Sequence, residues 1–166
     1  MRNTSKMLAF SGLALVVLQA FPVDRTAPPD GGPLVIHDAA VADIVDRACA
    51  DCHTNDTEWP WYSRVAPMSW WIANHVREGR SELNLSTWME MDLRRQFGKL
   101  GEVIDYVESG EMPLPSYTWA HPESRLTADE RESLVRWAKD TRSRLRLAAD
   151  RDAEEMEAEA TRALPD

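Results

Sequence analysis

One short motif, C-A-D-C-H at residues 49–53, constrains this chain more than any other feature of its sequence. The chain contains only two cysteines, and both lie in the motif. On a helical turn, side chains at positions i and i+3 face the same side, and a histidine follows directly here. This C-x-x-C-H spacing is the attachment sequence of a c-type haem. We therefore predict one covalently bound haem c, held by Cys49 and Cys52 and ligated at its iron by His53.

Two other kinds of site use closely spaced cysteines. A thioredoxin-like redox pair lies in a βαβ unit, but the sequence has no sustained alternation of apolar and polar residues that would predict strands. A zinc site needs further ligands at a characteristic spacing, and the motif lacks them. Haem attachment is therefore the favoured interpretation of the motif.

The size and charge of the chain exclude several classes of protein. Its 166 residues predict one domain. Two cysteines cannot form a multi-disulfide scaffold or a four-cysteine zinc or iron–sulfur site within one chain. A formal net charge of -9 has the wrong sign for a protein that grips phosphate backbones, so we expect no nucleic-acid partner. The acidic charge favours partners with basic patches, although the sequence identifies no particular redox partner.

The N-terminus has the pattern of an export signal. Arg2 and Lys6 precede an uncharged, mostly apolar run at residues 7–21, and Ala20 offers a cleavage site. The length of the run lies between that of a signal-peptide core and that of a membrane span. The sequence therefore predicts a signal peptide or membrane anchor at residues 1–25, followed by a Pro/Gly linker at residues 26–34.

Two helices are predicted around the motif. The first follows Asp38, a candidate N-cap, and its apolar residues recur at helical spacing as far as the cysteines. The second covers residues 68–78 and is expected to end at Gly79. Its predicted apolar face comprises Met68, Trp71, Ile72, His75 and Val76.

Two further helices complete the predicted fold. The third begins near Ser86 or Thr87 and ends at Gly110. The fourth opens with the capping box Thr127-x-x-Glu130. The fold class is therefore all-α, with four helices and long connections: a small haem-binding domain at residues 35–149 and a solvated acidic tail at residues 150–166. The buried face of the fourth helix is expected to comprise Leu134, Val135, Ala138, Thr141 and Leu145.

A second ligand to the iron must be sought outside the motif. Met112 is favoured because it follows a predicted helix, and the two prolines after it stiffen the backbone that would present its thioether. His75 is interpreted as a hydrogen-bonded core histidine, and His121 as a loop residue. Met68 is expected to pack in the core.

Four of the seven tryptophans follow the motif closely. They would wall a porphyrin from water, or they would serve as ordinary core or interface aromatics. These residues are Trp59, Trp61, Trp70 and Trp71.

Several short sequences after the motif carry a family resemblance. They are residues 48–53, Asn55, 59–63, 66–67, 78–80, 83–84, Trp88, 110–113 and 121–123. Together they resemble the bacterial haem-binding domain family, whose members are small exported proteins with a C-x-x-C-H. The resemblance covers residues 35–140 and implies a haem. The order of a helix, C-x-x-C-H, further helices, the G-x-M-P of residues 110–113 and a final helix also resembles the cytochrome c architecture, which implies a cytochrome c-like helical fold around the haem. Because family members tend to keep an N-terminal hydrophobic segment and a Pro-rich linker, the family resemblance also implies a periplasmic domain anchored to the inner membrane.

Three functions are compatible with these features. The leading hypothesis is monohaem electron transfer, in which His53 and Met112 fill both axial positions of the iron. The rival is a haem enzyme or a gas or redox sensor, in which the sixth position is open or weakly held. The third is an assembly or interaction module whose C-x-x-C handles thiols. The sequence has no Ser/His/Asp grouping, phosphate loop or paired acid motif that would predict a hydrolase or a nucleotide enzyme.

Overall fold

The computed structural model describes residues 2–162, and within them the regular structure is entirely helical. This confirms the all-α prediction, although the described residues form seven α-helices rather than four. Three short 3-10 helices lie between them, at Trp61–Arg64, Leu85–Glu90 and Pro122–Ser124. The α-helices are α1 (Arg2–Leu18), α2 (Ala39–Ala48), α3 (Ala50–His53), α4 (Met68–Glu82), α5 (Leu93–Ser109), α6 (Pro115–Ala120) and α7 (Ala128–Arg162).

The described residues divide into two compact units. The first unit contains the residues up to Pro29 and those from Ala50 to Asn84. In it, α4 packs against α3 and against the 3-10 turn Trp61–Arg64. The second unit contains residues 30–49 and the residues from Leu85 onward. In it, α7 packs against both α2 and α5.

The core of the second unit consists of apolar side chains at helical spacing. Burial of one such side chain contributes roughly 1.5–3 kcal/mol, so this cluster dominates the stability of the unit. The buried residues are Val41, Ile44 and Ala48 of α2, Leu100, Ile104 and Val107 of α5, and Leu134, Val135 and Ala138 of α7. Two residues of the predicted α7 face, Thr141 and Leu145, are only half-buried.

The predicted helix caps at two N-termini and one C-terminus are confirmed. The carboxylate of Asp38 accepts hydrogen bonds from the first amides of α2. At the start of α7, the Thr127 amide donates to Glu130 Oε2 at 2.8 Å, and the Glu130 amide donates to Thr127 Oγ1 at 3.3 Å. Gly110 ends α5 with a φ of 78°, a left-handed conformation that favours glycine.

The boundaries of α4 and α5 differ from the prediction. The second predicted helix does not stop at Gly79, because the Leu83 amide still donates to the Gly79 carbonyl at 2.9 Å and α4 continues to Glu82. The third does not begin near Ser86 or Thr87. Its N-cap is Asp92, whose extended backbone breaks the helical path and whose carboxylate accepts from the Arg95 amide at 2.7 Å.

The predicted acidic tail continues α7. The helix runs without a break to Arg162, and the described side chains of residues 151–159 are exposed. Residues 163–166 of the predicted tail, like Met1 of the predicted signal, lie outside the described residues.

The N-terminal apolar run forms most of α1, whose described side chains from Phe10 to Val17 are exposed. None of the helices within residues 2–162 is both long enough and apolar enough to cross a membrane. The predicted linker contains neither helix nor strand, but its main chain is hydrogen-bonded. In the second unit, the Leu34 amide donates to the Leu85 carbonyl at 2.8 Å.

Candidate haem-binding site

The C-x-x-C-H motif lies on two consecutive helical turns. Cys49 is the C-cap of α2, where its amide donates to the Val45 carbonyl at 2.9 Å. Cys52 and His53 lie on the single turn of α3. The two cysteines are half-buried and are not joined by a disulfide. The structure places Cys52 and His53 in the first unit and Cys49 in the second.

The imidazole of His53 is held by the main chain of α4. Its Nδ1 lies 2.9 Å from the Leu83 carbonyl oxygen and 3.1 Å from the Gly79 carbonyl oxygen. Carbonyl oxygens only accept hydrogen bonds, so Nδ1 carries the proton. In the neutral ring the lone pair is then on Nε2, at the other side of the imidazole. Metal-ligating histidines are oriented in this way, by a hydrogen bond from the nitrogen that does not bind the metal.

Gly79 permits the close approach of α4 to the motif. A Cβ atom at this position would lie 2.6 Å from the Cys52 carbonyl oxygen and 3.0 Å from the Cys52 Cβ. The first distance is shorter than real Cβ contacts allow, so only glycine fits without displacement of the Cys52 main chain. Sequence reasoning assigned Gly79 to a helix end, and nothing local to residue 79 signals this contact.

Arg80 fixes the chain that follows His53. Its guanidinium donates to the carbonyls of Thr54 at 2.8 Å and Asn55 at 3.3 Å, and to Thr57 Oγ1 at 2.9 Å. Asn84 Nδ2 reinforces the same loop with a 2.9 Å bond to Asn55 Oδ1. The end of α4 therefore holds both the ring of His53 and the loop after it. Sequence reasoning gave Arg80 no role beyond its place in the family resemblance.

The electrostatic environment of Cys52 opposes thiolate formation. Burial, and secondarily the negative charge of Asp51, raise the pKa of the Cys52 thiol to about 11, although Arg80 acts in the opposite direction. Reactive cysteines of thiol–disulfide enzymes have a lowered pKa. The site therefore does not favour the hypothesis that the C-x-x-C handles thiols.

Met112 lies in the short turn between α5 and α6 in the second unit. Its amide donates to the Tyr106 carbonyl at 3.1 Å, so its backbone is tied to the last turns of α5. A cis peptide bond joins it to Pro113. Pro115, the second of the two prolines that follow Met112, is the first residue of α6. The Met112 side chain is half-buried.

The family model for a haem-binding domain matches residues 13–140, about three quarters of the chain. The chain belongs to the haem-binding domain family. The match begins within α1 and ends within α7, so the matched residues of this haem-binding domain include the predicted linker. No curated protein and no solved structure matches the chain.

The other ligand candidates of the haem-binding domain either contact neighbouring residues or are exposed. His75 Nδ1 lies 2.9 Å from the Trp71 carbonyl, as expected of a hydrogen-bonded histidine, but its side chain is only half-buried. His121 stacks on Tyr117 and contacts the Glu123 carboxylate at 3.2 Å. Met68 is exposed, which corrects its assignment to the core.

The four tryptophans of the haem-binding domain do not share one environment. Trp59 and Trp70 are half-buried and line a groove together with Arg80 and Asn84. Trp61 is 78% exposed and Trp71 is 47% exposed. Two of the four rings therefore share a groove and the other two are exposed, and the expectation that these tryptophans wall a porphyrin from water stays a prediction.

Proposed function

We propose that this haem-binding protein is a c-type cytochrome that carries one haem and transfers electrons. In this proposal Cys49 and Cys52 form the two thioether bonds to the porphyrin, and His53 binds the iron through Nε2. The observation that carries the proposal is the pair of main-chain carbonyls that hold Nδ1 of His53. They select the tautomer that a metal ligand requires.

The residues around the motif fit such a group. Gly79 and Arg80 hold the turn behind His53, so the imidazole has a defined orientation before any metal is present. A bound haem supplies an iron that cycles between the ferrous and ferric states. The protein's own contribution is to orient the ligand and to fix the chain on either side of it.

Met112 is the second residue that would hold the iron. Its support is the thioether, a soft donor suited to iron in a crevice of low polarity, together with a main chain restrained by Tyr106 and by the prolines that follow. If His53 and Met112 both held the iron, no position would be left for a substrate. This coordination favours electron transfer over the chemistry of a haem enzyme or a gas sensor.

We also propose that the protein is exported and held at the periplasmic face of the inner membrane. Arg2 and Lys6 before the apolar residues of α1 support this location, because basic residues flank export signals and anchors on their cytoplasmic side. The family resemblance points the same way.

The test is to produce the full chain together with a c-type haem maturation system. We expect a reduced absorption spectrum typical of a c-type cytochrome, and a denatured chain heavier by one haem on the peptide that contains Cys49 and Cys52. The control is the variant Cys49→Ser/Cys52→Ser, which should carry no covalent haem. An unmodified wild-type chain would overturn the proposal. A covalent haem with a high-spin ferric spectrum would instead support the enzyme or sensor hypothesis.

A further inference from the structure

Two of the exposed apolar surfaces of the first unit are linked by hydrogen bonds. One is α1, where Phe10, Leu13 and Val16 are each more than half exposed. The other is a surface that we name the aromatic face, defined by the exposed side chains of Phe21, Trp61 and Val65. Removal of apolar groups from water lowers the free energy. An exposed apolar surface of this kind therefore marks an interaction site.

Hydrogen bonds fasten the end of α1 to the turn that carries the aromatic face. The Gln19 side chain bonds both main-chain groups of Ala66: Oε1 accepts from the amide at 2.9 Å, and Nε2 donates to the carbonyl at 3.2 Å. Trp70 Nε1 donates to the Phe21 carbonyl at 2.9 Å. The helix and the aromatic face are therefore parts of one fixed surface within this unit.

Arg25 extends the same attachment further along the chain. Its guanidinium donates to the Ser63 carbonyl at 2.6 Å and lies over the Trp59 ring, 5.4 Å from the centroid. The segment after α1 thus follows the surface of the 3-10 turn and is held to it at several points.

The charges of this surface suit a phospholipid bilayer. Residues 1–23 contain Arg2 and Lys6 but no acidic residue, and residues 59–77 contain Arg64 and Arg77 but no acidic residue. The first unit has six basic and six acidic residues, so the whole net charge of -9 belongs to the second unit. Anionic lipids repel acidic surfaces and attract basic ones, so only the first unit can approach such a membrane without an electrostatic cost.

We infer that the aromatic face lies in the headgroup region of the bilayer into which α1 inserts. Tryptophan is enriched at this depth, because its ring is apolar while its indole N–H stays hydrated. The occupant is lipid rather than a protein because every residue of α1 from Phe10 to Val17 is exposed and only Ser11 among them is polar, and the aromatic face is fixed directly to its end. The inference rests on the proposed membrane attachment but not on the haem.

This attachment would fix the orientation of the first unit relative to the membrane. The predicted linker would let the domain rotate freely above the membrane, whereas the bonds from Gln19 and Trp70 hold the first unit against the lipid surface. The end of α4, which holds His53, belongs to this unit. His53 would therefore keep a constant relation to the membrane.

The test uses the full chain in vesicles of phosphatidylcholine brominated on the acyl chains near the headgroup. Bromine quenches tryptophan emission at short range, so each tryptophan in the headgroup region loses intensity. We compare the wild type with Trp61→Ser and with the matched control Trp119→Ser. Trp119 is 81% exposed, close to the 78% of Trp61, but it lies on α6 in the second unit.

We expect the emission intensity lost to bromine to fall clearly in Trp61→Ser and to stay unchanged in Trp119→Ser, with equal helix content in both variants. If flotation shows vesicle-bound protein but Trp61 remains open to a water-soluble quencher, the aromatic face is not at the membrane and the inference is overturned. Shielding of Trp61 by a second copy, seen as a dimer by cross-linking without bromine quenching, would also overturn it. Protein that does not float with vesicles would refute the membrane attachment itself, whatever its haem spectrum shows.

Discussion

Gly79 packs so closely against Cys52 that a single added carbon would lie 2.6 Å from the Cys52 carbonyl oxygen. We predict that Gly79→Ala lowers the free energy of unfolding by about 1–3 kcal/mol, because the Cys52 main chain must move to admit the methyl group. The same movement should reduce the yield of covalent haem. Urea denaturation and haem staining measure the two effects.

Gly98 provides the matched control for this substitution. It lies within α5, and an added Cβ would meet nothing within 4 Å. Gly98→Ala should therefore raise the free energy of unfolding by about 0.5–1 kcal/mol, since alanine is the better helix former. Equal destabilisation by both variants would contradict a specific role for Gly79.

Arg80 should matter far more than its neighbour Arg77 on the same helix. Arg80→Gln removes the donors to Thr54, Asn55 and Thr57, and we expect a loss of about 1–3 kcal/mol in the free energy of unfolding because acceptors are left unpaired. Arg77 is exposed, so Arg77→Gln should change it by less than about 0.5 kcal/mol. Thermal unfolding followed by circular dichroism makes the comparison, and similar losses in the two variants would refute the assignment.

Met112→Ala tests the proposed axial ligand. In the haem-loaded protein this change should convert a low-spin ferric iron to a high-spin or water-ligated one, lower the reduction potential, and remove the weak far-red band of sulfur-to-iron charge transfer. His75→Ala and His121→Ala should leave that band in place. A spin change in a histidine variant alone would assign the ligand to that histidine.

Glu130 gives the fold a pH dependence of known sign. Its hydrogen bond from the Thr127 amide, and to a lesser extent the Thr127 hydroxyl and Arg47, hold the pKa of this carboxyl below its ordinary value of 4.5. A lowered folded-state pKa stabilises the protein above pH 4.5, and the stabilisation is lost as the pH falls below that value. Wild type should therefore exceed Glu130→Gln in stability near pH 7 and approach it in acid. Stability curves that run parallel between these pH values would be inconsistent with the capping role.

Local sequence signals predicted the parts of the fold that depend on neighbouring residues. Asp38, the Thr127–Glu130 capping box and Gly110 act within one helical turn, so their roles could be inferred from spacing alone. The C-x-x-C-H motif is equally local, and the family match from residue 13 to 140 supports the haem-binding interpretation.

The features that the sequence did not predict depend on contacts between distant residues. The local sequence predicted a helix end at Gly79, because the contact of Gly79 with Cys52 depends on the tertiary fold. No local signal predicted the role of Arg80, because its hydrogen bonds form only when the loop after His53 folds back on it. The start of α5 was misplaced for a related reason: residues 85–90 have helical composition but adopt a 3-10 turn before Asp92.

The bond between Gln19 and Ala66 closes a loop of 47 residues, and the C-x-x-C-H motif lies inside that loop. The Leu83 carbonyl oxygen that holds Nδ1 of His53 lies still further along the chain, at the end of α4, so the ordered site forms only after α4 has packed against α3. Before that stage the motif is part of an open chain, and afterwards both thiols are half-buried. The order of folding and attachment therefore matters: the earlier an attachment enzyme reaches the two thiols, the less folded structure it has to open.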